Sequence, residues 1–275
     1  MSSATVTLLR PREVPATHVT QGRVARSEWT KLRSLRSTWY TLLITAVTTI
    51  GFGVIASAAT ASRWSSMSFA DKATFDPLST SLLGVNFGVL AIGVLGVLLI
   101  TGEYSTGMVR STFAAVPTRL PVLRAKVGVL ALVGFAVALP STLIAFFAGQ
   151  ALLSSEHIQI SFSHAGVAGA VVGSALYLML VGLFGLGLGT ILRNTAAGIA
   201  TFAAVMFVIP PLVGILPSSL ANAIDPYLPS NAGSAIMDIT VQAHTLSPWA
   251  GLAVFAGYCA ATLAVGAVVL MRRDV

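Results

Sequence analysis

The chain has 275 residues, of which 55% are hydrophobic and only 9% are charged, whereas charged residues make up about 25% of an ordinary soluble domain. A soluble fold of this length could not bury so much apolar surface, so the composition excludes a soluble globular protein. The single cysteine, Cys259, also excludes an intramolecular disulfide and a metal site built from cysteines.

The charged residues are clustered, and they leave six long uncharged windows between them. Each window exceeds the roughly 18–20 residues that a helix needs to cross a bilayer. A transmembrane barrel is excluded because its strands are about 10 residues of alternating polarity. We therefore expect an all-α integral membrane protein with six transmembrane helices within residues 38–271. The windows are 37–62, 77–102, 127–155, 157–192, 194–224 and 239–271.

The positions of the basic residues predict the orientation of these helices. Seven of the 16 Lys and Arg residues lie in 1–36, four lie in 103–126, Arg193 stands between the fourth and fifth windows, and two end the chain. The alternate connections hold only Arg63 and Lys72. Lys and Arg concentrate on cytoplasmic loops, so both termini are expected in the cytoplasm. The net charge of +7 thus reflects topology, and no nucleic-acid partner is expected.

The N-terminal segment divides into a disordered tail over 1–21 and an amphipathic helix over 22–37. This second stretch places four apolar residues on one broad helical face, which predicts a helix lying on the inner leaflet. Glu28 falls within the same apolar sector. The alternative is a basic stretch that only fixes orientation. A signal-peptidase site at Ala56-Ser57-Ala58 is rejected because the apolar stretch is too long for a secretory signal. The four apolar residues are Val24, Trp29, Leu32 and Leu35.

Glycine and proline mark special positions in the spans. Small-xxx-small spacing at Gly84/Gly88, Gly169/Gly173 and Gly185/Gly189 lets membrane helices approach closely. Pro140 is expected to kink the third helix, and Pro210-Pro211 is expected to break the fifth near its outer end. The outer loop 217–247 is rich in proline and poor in charge, which predicts short helices dipping into the outer leaflet; the alternative is an exposed loop.

The sequence offers little for catalysis. No span is expected to contain an acidic residue, so the ionisable groups that mark ion pathways at membrane depth are not expected. His157 and His164 lie seven residues apart near Glu156, but this spacing is more typical of surface histidines than of a metal site. The Gly-Lys-Ser/Thr pattern of a phosphate loop does not occur, so we expect no ATP hydrolysis, no metal and no cofactor in this chain.

The inner loop 102–126 mixes apolar side chains with charges of both signs, which is typical of a helix that docks onto a partner. Met108, Val109 and Phe113 are expected to fill an apolar groove of that partner, while an exposed Glu103 and Arg110 make charge-assisted contacts. The alternative is an ordinary basic connection, with Glu103 at a helix start and Gly107 in a turn.

Two short patterns resemble the membrane (permease) subunit of type-2 ABC transporters, the exporter class. One is a Glu-x-x-Lys helix before the first span, here Glu28 and Lys31 with Leu32 after them. The other is Glu-x-x-x-Gly followed by Pro-x-Arg in the second loop. The resemblance covers nearly the whole chain, down to the basic C-terminus 272–275. The residues of the second pattern are Glu103, Gly107, Pro117 and Arg119.

The resemblance implies that loop 102–126 forms a coupling helix seated in a separate ATP-binding subunit, with the N-terminal helix bracing that contact. It also implies a working unit of two permease copies or homologues and two ATPase subunits, with ATP and Mg²⁺ held by the ATPase. We expect an exporter of apolar or amphipathic cargo in a bacterial cell membrane. The alternative is a multi-span membrane anchor or sensor that does not transport.

Overall fold

The computed structural model describes residues 20–116, 118–239 and 245–272. Within these ranges the chain is all helical and has no strand. The α-helices are α1 Gln21–Ser34, α2 Arg36–Arg63, α3 Phe69–Ala73, α4 Pro77–Leu82, α5 Gly84–Ser105, α6 Met108–Ala115, α7 Leu120–Leu153, α8 Val167–Leu192, α9 Thr195–Ala203, α10 Ile209–Val213, α11 Ser218–Ile224, α12 Pro229–Ser234 and α13 Pro248–Arg272.

Six helical stretches are long and apolar enough to cross a membrane, which confirms the predicted number of spans. The chain thus has the architecture of a multi-pass membrane protein. The observed spans start or end inside several of the uncharged windows, because uncharged loops such as 157–166 extend a window without extending the helix. The stretches are Arg36–Ser66, Pro77–Ser105, Leu120–Glu156, Val167–Leu192, Thr195–Val213 and Pro248–Arg272.

Helix α8 is the centre of the bundle, packed against α5, α7 and α13, while α2 packs on α5 and α7. Aromatic side chains fill the space around α8. The rings of Tyr177 and Phe255 lie 5.3 Å apart, and Phe184 contacts both Phe255 and Phe202. Such edge and tilted contacts stabilise a core beyond simple area burial. The end of the bundle that carries α1 is called the α1 end, and the other end is called the opposite end.

Glycines let α5 and α8 pack at backbone distance. A Cβ on Gly96 would overlap the carbonyl oxygen of Gly182, and one on Gly185 would overlap that of Gly93. Five of the six glycines in the predicted small-xxx-small pairs also lie in tight contacts. Gly169 does not, because a Cβ there would meet only the Trp249 ring at an ordinary 3.7 Å. Gly93 and Gly96 form a further close-packed pair that the spacing analysis missed.

Prolines lie within two of the spans. Helix α7 continues through Pro140, so the predicted kink there stays a prediction. In the fifth span the irregular turn is a π-helix at Ala204–Val208, which precedes the proline pair, and Pro210 and Pro211 then lie in the first turn of α10. A proline removes the backbone donor for a carbonyl four residues earlier, so the irregularity falls before the prolines.

The segment between the fifth and sixth spans forms α11 and α12 with 3₁₀ turns, as predicted for short helices. Its second half packs against the bundle: Ile236 is buried, and it fills the space over Gly173, while Gly233 lies against the Tyr177 ring. Asp238 follows this packed turn. Residues 240–244, with His244, lie outside the described residues, as do the tail 1–19 and residues 273–275.

Gln150 fixes the opposite end of the bundle. Its side-chain amide donates to the Pro77 carbonyl at 3.0 Å and to Ser81 Oγ at 2.8 Å, and its Oε1 accepts from the Ile160 amide at 2.8 Å. One buried side chain thus joins α7, α4 and the loop after α7. Both its amide nitrogen and its carbonyl oxygen make hydrogen bonds, as is usual for a buried polar side chain.

Candidate functional site

Four charged side chains meet at the α1 end and are called the charge cluster: Glu28 and Lys31 from α1, Glu103 from α5 and Lys126 from α7. Lys126 Nζ lies 2.6 Å from Glu28 Oε2 and 2.7 Å from Glu103 Oε1. Lys31 Nζ lies 2.7 Å from Glu28 Oε1 and 3.0 Å from Glu103 Oε1. The cluster therefore joins three helices through alternating charges that sum to zero.

The two lysines of the charge cluster use all of their hydrogen-bond donors. Lys31 also donates to Thr112 Oγ1 on α6 at 3.1 Å, and Lys126 donates to the Leu99 carbonyl at 3.3 Å. An ammonium group has three donors, so each lysine has none to spare. Glu103 Oε2 is buried and accepts no hydrogen bond from any residue that the structure describes.

Burial makes these ion pairs different from surface pairs. Glu28, Glu103 and Lys126 are only 4–5% exposed, and breaking a buried pair leaves an uncompensated charge. Burial alone would lower the pKa of Lys31, but its hydrogen bonds to Glu28 and Glu103 and their negative charges outweigh burial and raise its pKa above 10.5. Lys31 thus stays charged, and the buried ion pairs hold α1, α5 and α7 together.

Two expectations from the sequence are wrong at this point. Glu103 is buried rather than exposed, and an acidic residue does lie within a span, since Glu103 falls inside Pro77–Ser105. Its partner Lys126 is likewise inside the third span, because α7 begins at Leu120, earlier than the uncharged window. An uncharged window ends at the first charged residue. It therefore leaves out Glu103 and Lys126, which lie on two different helices and neutralise each other.

The structure also explains Glu28 in the apolar sector of α1. That sector faces the bundle, where Val24, Glu28 and Leu32 are buried together, and Lys126 supplies the compensating charge. Trp29 and Leu35 are instead 40% and 46% exposed. The helix ends at Ser34, where Leu35 is extended, and the indole of Trp39 caps it by donating to the Arg33 carbonyl at 3.0 Å.

Loop 102–126 contains the short helix α6, which begins after Gly107 in the left-handed region at φ 72°, where glycine is strongly favoured. Val109 and Phe113 are buried against Val24, Leu123 and other apolar residues of this chain. The expectation that they fill a partner's groove is therefore wrong, because their apolar surface is already covered. Met108 and Arg110 are exposed and form the free face of α6.

Two arginines that sequence reasoning did not connect bind the end of α13. Arg119 donates to the Leu270 carbonyl at 2.9 Å, and Arg193 donates to the Val269 carbonyl at 2.9 Å. The last four carbonyls of a helix have no partner within it, and a cation there also offsets the helix dipole. Arg119 in addition lies over the Phe113 ring at 5.4 Å, so it joins α6 to α13.

The remaining site residue, Pro117, lies outside the described residues. In the described part of the chain no group of three or more His, Cys, Asp or Glu side chains has the arrangement of a metal site. Comparison with protein families finds no family model that matches this chain. Comparison with curated proteins finds no significant sequence match.

Proposed function

We propose that this chain is the membrane subunit of a transporter of the type-2 ABC exporter class, driven by a separate ATP-binding subunit. The observation that carries the proposal is the charge cluster. It links helix α1 and the short helix α6 to the ends of two spans, α5 and α7. A membrane anchor that does not transport has no need for a short surface helix linked in this way to two spans.

The charge cluster couples α6 mechanically to the spans. The inner face of α6 packs on α1 and α7 through Val109 and Phe113. The outer face of α6 presents Met108, Arg110 and Ser111. A push on that outer face would be passed to α5 and α7 through short, buried ion pairs, because packed and paired elements move as units. Arg119 would pass the same movement to α13.

The proposal includes an orientation and a set of partners. On this proposal both termini and the charge cluster lie on the cytoplasmic side of a bacterial cell membrane, with α1 in the interface, and the basic asymmetry supports this orientation. The ATPase subunit would contact the free face of α6 and would hold ATP and Mg²⁺. Two copies of this chain, or this chain and a homologue, would form the path for an apolar or amphipathic cargo.

The test is a matched charge neutralisation on the full chain purified from its native membranes. Arg110→Gln removes an exposed cation from the free face of α6, and Arg63→Gln removes one from the opposite end of the bundle. We expect ATPase activity to co-purify with wild type and with Arg63→Gln, and to fall about tenfold or more with Arg110→Gln. Interface hot spots are rich in arginine and are worth about 2 kcal/mol or more.

Size-exclusion profiles of both variants serve as the folding control. If no ATPase activity co-purifies with the wild-type chain, this result would contradict the transporter proposal and favour the alternative, a membrane anchor or sensor. If the same ATPase activity co-purifies with Arg110→Gln and with Arg63→Gln, α6 is not the element that docks onto the ATPase subunit.

A further inference from the structure

A cavity of about 430 Å³ lies at the opposite end of the bundle, between α2, α4, the start of α5 and the turn that follows α12. Its volume falls within the range of small-molecule pockets, which is about 300–1,000 Å³. The lining combines apolar side chains, among them Leu82 and Met237, with four hydroxyl groups, one side-chain amide and the carboxylate of Asp238. A lining of this kind suits a small ligand that is itself partly polar and partly apolar.

Asp238 is the one charged residue among those that line the cavity. It is only partly exposed, and no ion pair or hydrogen bond joins its carboxylate to another residue that the structure describes. Burial raises the pKa of this carboxyl, and the negative charge of Asp76 raises it further. Both effects disfavour the ionised form, so a cation in the cavity would stabilise it.

The surrounding end of the bundle also favours a cation. Among the described residues, this end carries five acidic side chains and two basic ones, and neither basic side chain lines the cavity. The net negative charge attracts cations to this end and repels anions. The acidic residues are Asp71, Asp76, Glu156, Asp225 and Asp238, and the basic residues are Arg63 and Lys72.

The hydroxyl groups of the lining offer acceptors to a ligand. Three of the four already donate their proton to a backbone carbonyl of this chain. Ser79 and Thr80 donate to the carbonyl of Asp76, at 3.2 and 2.8 Å. Ser234 donates to the carbonyl of Asn231 at 3.3 Å. A hydroxyl that donates in this way keeps lone pairs for accepting, and an ionised carboxylate only accepts, so the lining requires a ligand that is rich in donors.

A primary ammonium group meets these requirements, because it carries one positive charge and three N–H donors. A quaternary ammonium group has the charge without the donors, and an alcohol has a donor without the charge. A metal ion alone would leave the apolar part of the lining unused, and the described residues hold no group of three or more acidic, His or Cys side chains arranged for a metal. Leu82 and Met237 are buried, so the ligand needs a hydrocarbon part to contact them.

We propose that this cavity binds an organic cation with a primary ammonium group, which pairs with the Asp238 carboxylate while its hydrocarbon part packs on Leu82 and Met237. The ammonium group also donates to the hydroxyl oxygens of the lining. A free amine and the head group of phosphatidylethanolamine both supply this chemistry. The site requires neither the ATPase subunit nor transport, so it goes beyond the proposed function.

The experiment uses the full chain in phosphatidylcholine nanodiscs and photolabelling with a diazirine derivative of hexylammonium. Labels on peptides that contain Leu82 or Met237 are quantified by mass spectrometry, with hexylammonium, hexyltrimethylammonium and 1-hexanol as competitors. We expect hexylammonium to compete at about tenfold lower concentration than the other two, because only it has both the charge and the donors. Equal competition by 1-hexanol would overturn the role of the Asp238 charge. Equal competition by the trimethyl compound would overturn the selection of a primary ammonium group.

Matched variants place the ligand in the cavity. Asp238→Asn removes the charge and should raise the concentration for half-maximal labelling about tenfold, whereas Asp225→Asn lies outside the lining and should not change it. Ala56→Trp should fill the cavity and abolish labelling, whereas Ala58→Trp, at an exposed position of the same helix, should keep it. Size-exclusion profiles control for folding. Labelling of Asp238→Asn or Ala56→Trp that equals that of the wild type would overturn the site.

Nanodiscs that also contain phosphatidylethanolamine then distinguish the two sources of the ligand. A loss of labelling in the wild type assigns the site to the lipid head group, and unchanged labelling assigns it to a free amine. None of these outcomes depends on ATPase co-purification, so the failure of this site and the failure of the proposed function are distinguishable.

Discussion

Lys126 is the side chain whose loss should cost the fold most, because it pairs with carboxylates from two different helices. Lys126→Met would leave two buried negative charges opposite one lysine, and breaking a buried pair costs about 3–5 kcal/mol. Arg124→Met is the matched control, since Arg124 lies two residues earlier on α7 and is exposed; its expected cost is within about 0.5 kcal/mol. The measurement is unfolding in mild detergent followed by tryptophan fluorescence.

A second substitution tests the reason for that loss. Adding Glu28→Gln to Lys126→Met removes one of the stranded charges and should recover part of the lost stability. Indistinguishable unfolding of Lys126→Met and Arg124→Met would show that the pairs contribute no net stability.

Asp238 gives a stability effect that depends on pH. Burial raises the pKa of its carboxyl, and the nearby charge of Asp76 raises it further. The unfolded chain therefore ionises this group at lower pH than the folded chain, so its contribution to stability is present below the ordinary value of 3.8 and is lost as pH rises through the raised folded pKa. Asp238→Asn should accordingly raise the apparent Tm at pH 7 and leave it unchanged below 3.8.

The control for this prediction is Asp225→Asn, on the same segment between the fifth and sixth spans. Thermal scans of the three proteins at matched rates, at neutral and at acid pH, separate the burial of Asp238 from a general effect of negative charge. A Tm gain for Asp238→Asn that persists unchanged at acid pH would show that ionisation is not its cause.

Sequence reasoning succeeds for single residues when the signal is local and fails when it is not. The spacing in α1 correctly placed Val24 and Leu32 on its buried face, but it also placed Trp29 and Leu35 there, and both are exposed. The meaning of Glu28 on that face depended on Lys126, which is 98 residues away. The same limit applies to Val109 and Phe113, since a short amphipathic segment does not reveal whether its apolar face is covered by its own chain or by a partner.

At the scale of helices, the α5 and α8 contact should be the most sensitive to added volume. Gly96→Ala would place a methyl group against the Gly182 carbonyl, where backbone cannot give way cheaply, so we expect a loss of about 1–3 kcal/mol. Gly128→Ala on α7 meets nothing within 4 Å and should be neutral or stabilising by up to about 1 kcal/mol. Unfolding in the same detergent compares the two, and equal effects would contradict the close packing.

The existence of the six long helices followed from the sequence because an uncharged apolar stretch of that length has few other structures available in a membrane. Their ends did not follow. Charge marks where a span may stop, whereas α8 begins only at Val167, after Gly166 in the left-handed region at φ 90°, and nothing charged lies at that position. Turn geometry, rather than charge, sets such boundaries.

At the scale of the whole molecule, the two ends of the bundle carry different chemistry. The α1 end holds the charge cluster and the arginines that bind α13, and the opposite end holds Gln150 and the packed segment before Asp238. The described basic residues also collect at the α1 end, apart from Arg63 and Lys72. This asymmetry is the physical basis for expecting one orientation in the membrane.

Cysteine labelling tests that orientation. In a Cys259→Ala background, cysteines are placed at four exposed positions: Ala70 and Ser155 at the opposite end, and Ser27 and Ser111 at the α1 end. A membrane-impermeant maleimide applied to intact cells should label the first pair and not the second, and permeabilised cells should show all four. Labelling of Ser111→Cys from outside would place α6 on the external face, where no ATP-binding subunit could reach it, and would overturn the proposed function together with the topology.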